Sequence, residues 1–149
     1  MNDNDFAQKK QELLQPLLNK YHFKKYIYKD NTALIGKEHI ILFLTDKWNT
    51  DVFYLQWRKN GIWEYPINNF VRSSITAQDR NGIIWEHTPR EHALADLQVI
   101  IRALENHWEN ILKGNEDWIE ILYNNSPYGY PPRISQCPEI KKFQQIMGQ

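Results

Sequence analysis

The chain has 149 residues, with 18 Lys and Arg against 18 Asp and Glu, so its formal net charge is zero. This length fits one domain, 1–149, that can bury a sizeable core without disulfides or metals. The balanced charge argues against a nucleic-acid binder or a membrane anchor held by bulk positive charge. A single cysteine, Cys137, excludes an intramolecular disulfide and a four-cysteine zinc site.

The N-terminal residues lack the basic and apolar regions of a signal peptide. The longest apolar run, 40–44, is much shorter than a bilayer-spanning helix. We therefore expect a cytoplasmic protein, and the unpaired thiol agrees with a reducing compartment.

The first half of the chain predicts a helix followed by a β-meander. Apolar residues at helical spacing predict a helix over 3–19, which we expect Pro16 to kink or break near Gln15. Branched and aromatic residues then predict strands, with Gly36 as a bulge or turn and Asn60-Gly61 as a hairpin signal. The segments 22–29, 32–35, 37–45, 51–58 and 62–65 give about four short strands with hairpin connections, and 83–85 could be a fifth strand.

The second half predicts helices. Thr88, Pro89 and Glu91 have the spacing of a capping box with proline at the first helical position. Apolar residues then recur every three or four positions up to Ile111, and Gly114 closes this long helix. Shorter helices are expected over 115–123 and from Pro138, after a tyrosine-rich loop at 126–133. Because strands and helices are segregated, we predict an α+β domain whose antiparallel sheet of four or five strands is flanked by an N-terminal helix and C-terminal helices. Its core covers about residues 6–123, followed by a loop and short helix at 124–149.

No motif in the sequence requires a cofactor or a metal, and none is expected. The histidines lack the spacing of a zinc-binding helix, and there is no nucleophile elbow or phosphate-binding loop. Two other classes of function stay open. A small hydrolase or transferase could use His87, Glu91 or Cys137, and a ligand- or sugar-binding module could use Trp48, Trp63 and the tyrosine-rich loop.

Acidic residues concentrate in the segment 86–120. Eight Asp and Glu stand there against three Lys and Arg, a net charge of −5. Such a segment is either the solvated polar face of amphipathic helices or a docking surface for a basic partner. The lysines at 20, 24, 25 and 29 are instead typical of an edge strand, where they discourage pairing with other sheets.

Two segments resemble small bacterial immunity proteins encoded beside polymorphic or contact-dependent toxins. They are ELLQPLLNKYHFKK at 12–25 and HWENILKGNEDW at 107–118. The likeness covers the overall plan of 6–123: a helix, a β-meander, then helices. It implies a non-enzymatic inhibitor that binds a cognate toxin domain and blocks its active site. On this interpretation acidic side chains steer the partner and exposed aromatic residues anchor it. The expected partner-binding residues are Glu105, Glu109, Glu116, Asp117, Glu120, Trp63, Tyr128 and Tyr130.

Overall fold

The computed structural model describes residues 1–58, 61–125 and 132–147, with the side chains of 123–125 excepted. Its elements are α1 (Asp3–Tyr21), β1 (Lys24–Tyr28), β2 (Asn31–Ile35), β3 (His39–Thr45), β4 (Thr50–Arg58), β5 (Gly61–Pro66), α2 (Asn68–Arg72), α3 (Ala77–Arg80), α4 (Pro89–His107), α5 (Glu109–Lys113), α6 (Asp117–Asn125), β6 (Arg133–Ile134) and α7 (Ile140–Met147). The strands form one antiparallel sheet in chain order. The predicted α+β fold is confirmed, with six strands in the sheet where four or five were expected.

Both faces of the sheet carry apolar residues because successive side chains of a strand point to opposite sides. On β4, Val52 and Tyr54 join the main core, whereas Leu55 and Phe53 pack on the other side. The main core lies between the first face and the helices α1, α2, α4, α5 and α6. Its largest side chain is Trp118, whose ring meets Tyr54 edge-on at 4.9 Å between centroids.

The second face of the sheet is covered by α7. Phe143 is fully buried there and packs in a cluster with residues of β2, β3, β4 and β5. Its ring also lies edge-on to Tyr26 of β1, at 5.9 Å. The strand order places β1 at the sheet edge, with Lys24 and Lys25 exposed, as predicted. Lys20, which was assigned to the same edge strand, belongs instead to the last turn of α1.

Four sequence-based expectations differ from the structure: the break at Pro16, the strand at 83–85, the unbroken long helix and the capping box of α4. The first helix runs without a break through Pro16, because Leu14, Leu17 and Leu18 are buried on both sides of it. Burial of these side chains offsets the cost of about 3 kcal/mol for a proline inside a helix. Residues 83–85 form no strand, and the strand that pairs with β5 on its outer side is β6.

The predicted long helix is interrupted at Trp108. Its backbone has φ −132° and ψ 41°, outside the helical region, so α4 ends at His107 and α5 begins at Glu109. Tertiary contacts account for the break: the indole N–H of Trp108 donates to Ser74 Oγ at 3.0 Å, and its ring packs 4.5 Å from Phe70.

The start of α4 differs from the predicted capping box. Thr88 is the N-cap and Pro89 is the first helical residue, as expected, but the Thr88 hydroxyl donates to the Glu91 carboxylate instead of accepting from a backbone amide. A complete capping box occurs at α3, between Thr76 and Asp79.

No helix within the described ranges combines the length and apolar character needed to cross a bilayer.

A buried ion pair fastens α4 to the sheet. Asp96, which is 2% exposed, accepts from both terminal nitrogens of Arg72 at 2.5 and 2.6 Å. The same carboxylate accepts from the backbone N–H of Thr50 at 2.8 Å, and Arg72 also donates to the Thr50 carbonyl at 2.8 Å. One carboxylate therefore joins α2, α4 and the first residue of β4.

His39 is buried at the start of β3, under the end of α5. Its Nε2 lies 3.0 Å from the Leu112 carbonyl, so this nitrogen carries the proton and donates. The ring stacks on Tyr54 at 5.7 Å and meets Phe23 edge-on at 5.4 Å. Burial lowers the pKa of His39, and the Leu112 carbonyl and nearby carboxylates only partly oppose this effect.

We expect His39 to make stability depend on pH. Because the unfolded chain binds a proton at this histidine near its ordinary pKa of 6.5, and the folded chain binds it only at lower pH, unfolding takes up a proton between those values. The contribution of His39 is therefore complete above about pH 7 and is lost as pH falls through 6.5. Urea unfolding of the natural chain and of His39→Gln should differ more at about pH 7.5 than at about pH 5. An equal difference at both values would contradict this reading.

Candidate functional site

The acidic residues predicted to bind a partner fall into two groups. Glu105 and Glu109 are engaged within the chain: Lys20 lies 4.0 and 3.4 Å from their carboxylates, and Lys113 lies 3.0 Å from Glu109. The Tyr21 hydroxyl also donates to Glu109 at 2.7 Å. This hydrogen bond, followed by the one from Lys113, lowers the pKa of Glu109 to about 2. Much of the charge of this pair is therefore balanced locally.

Glu116, Asp117 and Glu120 form the second group, which we name the acidic edge. All three are exposed at the start of α6, where negative charge is favourable to the helix. None of them forms an ion pair with any described residue, although Asp117 accepts from the side chain of Asn110 at 2.9 Å. Burial of Trp118 on the opposite side of α6 explains why the acidic edge faces outward.

Beside the acidic edge lies a cavity of about 430 Å³, here named the acidic–aromatic groove. It is formed where the turn between β2 and β3, the end of β4, the start of α6 and the last turns of α7 come together. Its lining residues are Lys37, Glu38, Gln56, Trp57, Glu116, Gln144 and Met147.

Two carboxylates of the groove come from distant parts of the chain. Glu38 is held by the turn before β3, where its carbonyl accepts from the Trp57 backbone N–H at 3.4 Å. Glu116 comes from the start of α6. Burial raises the pKa of the Tyr54 hydroxyl, and the charges of Glu116 and Glu38 both add to that rise. Both carboxylates line the same groove although they come from different elements.

Trp57 gives the groove an exposed aromatic wall. Its side chain is 47% exposed, which is high for a tryptophan on a central strand. It lies on the second face of the sheet, as the alternation along β4 from Phe53 and Leu55 dictates. The alternation along β4 predicts that Trp57 lies on this face. It does not predict that α7 leaves the Trp57 ring exposed to solvent.

Gln56 places an unused hydrogen-bond donor at the groove. The residue is only 9% exposed, and its Oε1 accepts from Arg58 Nε at 2.9 Å and from the Tyr65 hydroxyl at 3.1 Å. Its Nε2 donates to no acceptor among the described residues. Since the oxygen is committed to two donors, the amide nitrogen is the atom left to bind an acceptor.

The structure describes one of the three aromatic residues predicted to anchor a partner, and it is not fully exposed. Trp63 is half-buried, packs against the main core and has the Arg58 guanidinium 5.8 Å from its ring. Its role in partner binding stays a prediction. Tyr128 and Tyr130 lie outside the described residues.

The residues of the alternative hydrolase site are not gathered in one cavity. Glu91 lines a cavity between α1 and α4, whereas Cys137 lines another on the second face of the sheet, with its Sγ 3.3 Å from the Tyr28 hydroxyl. His87 is exposed just before α4. The described ranges contain no group of three or more His, Cys, Asp or Glu side chains that could hold a metal ion.

The tryptophans of the alternative ligand-binding site do not form parallel rings. Trp48, in the turn between β3 and β4, packs on His92 at 5.6 Å with an angle of 70° between the rings. Trp63 faces the main core.

Comparisons of this chain with protein-family models, with curated proteins and with solved structures found no match.

Proposed function

We propose that this chain is a non-enzymatic, cytoplasmic binding protein that neutralises a cognate toxin domain by covering its active site. The observation that carries the proposal is the acidic edge, whose carboxylates form no ion pair with the described residues, next to the exposed Trp57 across a groove. Unpaired surface charge steers association, and exposed tryptophan is a common interface anchor. The resemblance to immunity proteins supports a toxin as the partner.

Occlusion needs no reacting group on this chain. A partner with a basic rim around its active site would be attracted over several ångströms by Glu116, Asp117 and Glu120. Trp57 would then be desolvated at the centre of the contact, where aromatic side chains contribute most to affinity. The bulk of α6 and of the sheet end would exclude the toxin's substrate.

Co-expression tests the proposal directly. The partner to be tried is the variable C-terminal domain of a secreted protein encoded by the reading frame immediately upstream. Cells that produce this domain with the natural chain should survive, and the two proteins should purify as a one-to-one complex. Continued killing without a complex would contradict the proposal.

Charge reversal at the acidic edge should weaken that complex. We expect Glu116→Lys with Glu120→Lys to lower the association rate by about tenfold or more at low salt, because attraction becomes repulsion. The effect should shrink at high salt, where charges are screened. Glu12→Lys with Glu86→Lys is the matched control, because it changes the net charge equally at exposed sites elsewhere. Equal rates for both double variants, measured by surface plasmon resonance, would remove the acidic edge from the interface.

A further inference from the structure

We infer that the acidic–aromatic groove binds an arginine side chain from an exposed segment of the partner protein. This inference rests on the proposed function, because it names the chemistry that the partner must present. Glu38, Trp57, Glu116 and Gln56 would make the contacts.

The charge of the groove favours a cation. Glu38 and Glu116 are both exposed and form no ion pair among the described residues. Among the described lining residues Lys37 is the only cation, and the nearby Arg58 is already bonded to Gln56 Oε1 and the Tyr65 hydroxyl. The lining therefore has one more negative charge than positive. A phosphate-bearing ligand such as a nucleic acid or an anionic membrane would be repelled from this position.

The arrangement suits a guanidinium better than an ammonium or a metal ion. A guanidinium is planar and carries five donors, so it can bond two carboxylates that come from different elements. Its plane stacks on an indole, and Trp57 presents one that is 47% exposed. The Met147 thioether lines the same groove and suits the aliphatic stem of the side chain.

Gln56 indicates that the ligand is a peptide segment and not a free cation. Its Nε2 is a donor without an acceptor among the described residues, on a side chain that is nine-tenths buried and lines the groove. An amide N–H that has no acceptor within the described chain is available to a ligand acceptor at the groove. A backbone carbonyl next to the arginine supplies one, whereas the guanidinium itself has only donors.

A peptide titration tests this inference without the toxin. The probe is acetyl-Gly-Arg-Gly-amide added to the full chain, with citrulline and lysine peptides as controls, followed by the Gln56 side-chain amide and Trp57 indole signals in NMR spectra. We expect saturable shifts with arginine and affinity at least about tenfold lower with citrulline, which lacks the charge but keeps the shape. Equal binding of arginine and citrulline would overturn the inference.

Variants assign the binding to the groove. Glu38→Gln with Glu116→Gln, which keeps side-chain volume, should reduce arginine-peptide affinity about fivefold or more, and Trp57→Leu should remove most of the preference for arginine over lysine. The matched control is Glu12→Gln with Glu86→Gln, which should bind as the natural chain does. Well-dispersed spectra of each variant establish that it is folded. Unchanged affinity in Glu38→Gln with Glu116→Gln would overturn the inference.

The toxin complex separates this inference from the proposed function. If the toxin domain binds the natural chain and Glu38→Gln with Glu116→Gln equally well, arginine capture is overturned while toxin neutralisation stands. If the arginine peptide binds as expected but the toxin domain neither binds nor is neutralised, the proposed function fails while the ligand chemistry of the groove is supported.

Discussion

Asp96→Ala should lower the free energy of unfolding by about 3 kcal/mol, at the lower end of the cost of breaking a buried ion pair. The carboxylate is 2% exposed and bonds both Arg72 and the Thr50 backbone N–H. Its removal leaves the guanidinium without its counter-charge and the amide without an acceptor. The loss stays near the lower end because the Arg72 side chain is 29% exposed, so that water can solvate part of it.

Urea unfolding of two aspartate variants measures this effect. Asp117→Ala removes a carboxylate from the exposed start of α6, with its one hydrogen bond from Asn110, and should lower the unfolding free energy by less than about 1 kcal/mol. Asp96→Asn keeps the shape and should fall between the two. If Asp96→Ala is as stable as Asp117→Ala, the ion pair does not fasten α4 to the sheet.

Gly114→Ala should also cost about 3 kcal/mol, for two reasons that act together. Gly114 has φ +81°, a left-handed conformation that disfavours alanine by about 1–2 kcal/mol. An added Cβ would also lie 2.5 Å from Nδ1 of His39, whose ring is held between Phe23 and Tyr54. Overpacking of this kind costs about 1–3 kcal/mol.

Gly82→Ala separates the two causes. Gly82 has φ +76°, but an added Cβ there meets nothing within 4 Å. It should therefore show only the backbone cost of about 1 kcal/mol. In a His39→Ala background, Gly114→Ala should fall to the same value, because the clashing ring is absent. Equal losses for Gly114→Ala and Gly82→Ala in the natural chain would show that His39 does not enforce glycine at this position.

The order of elements is largely predictable from the sequence because short-range patterns specify it. Alternation and turn residues located the five long strands, and the apolar spacing with Gly114 located α4 and α5. The wrongly predicted features depend on contacts between residues that are far apart in the sequence. The break at Trp108 is set by Ser74 and Phe70, and continuity through Pro16 is set by burial of the surrounding leucines. No local pattern carries that information.

The candidate site was predictable only in part. Glu116 was found because acidic residues cluster along the sequence, but Glu105 and Glu109 from the same cluster meet Lys20, which is far away in the chain. Glu38 and Trp57 were not singled out, since a turn residue and a strand residue become neighbours of α6 and α7 only in the folded chain.

The most direct test of toxin neutralisation through the acidic–aromatic groove is amide hydrogen exchange of the natural chain, free and bound to the upstream-encoded toxin domain. Binding should protect the amides of 37–38, 56–57 and 116–121. The amides of 84–92, a segment that does not line the groove, should exchange as in the free chain. Protection confined to 84–92, or no protection anywhere although the two proteins form a stable complex, would contradict the account.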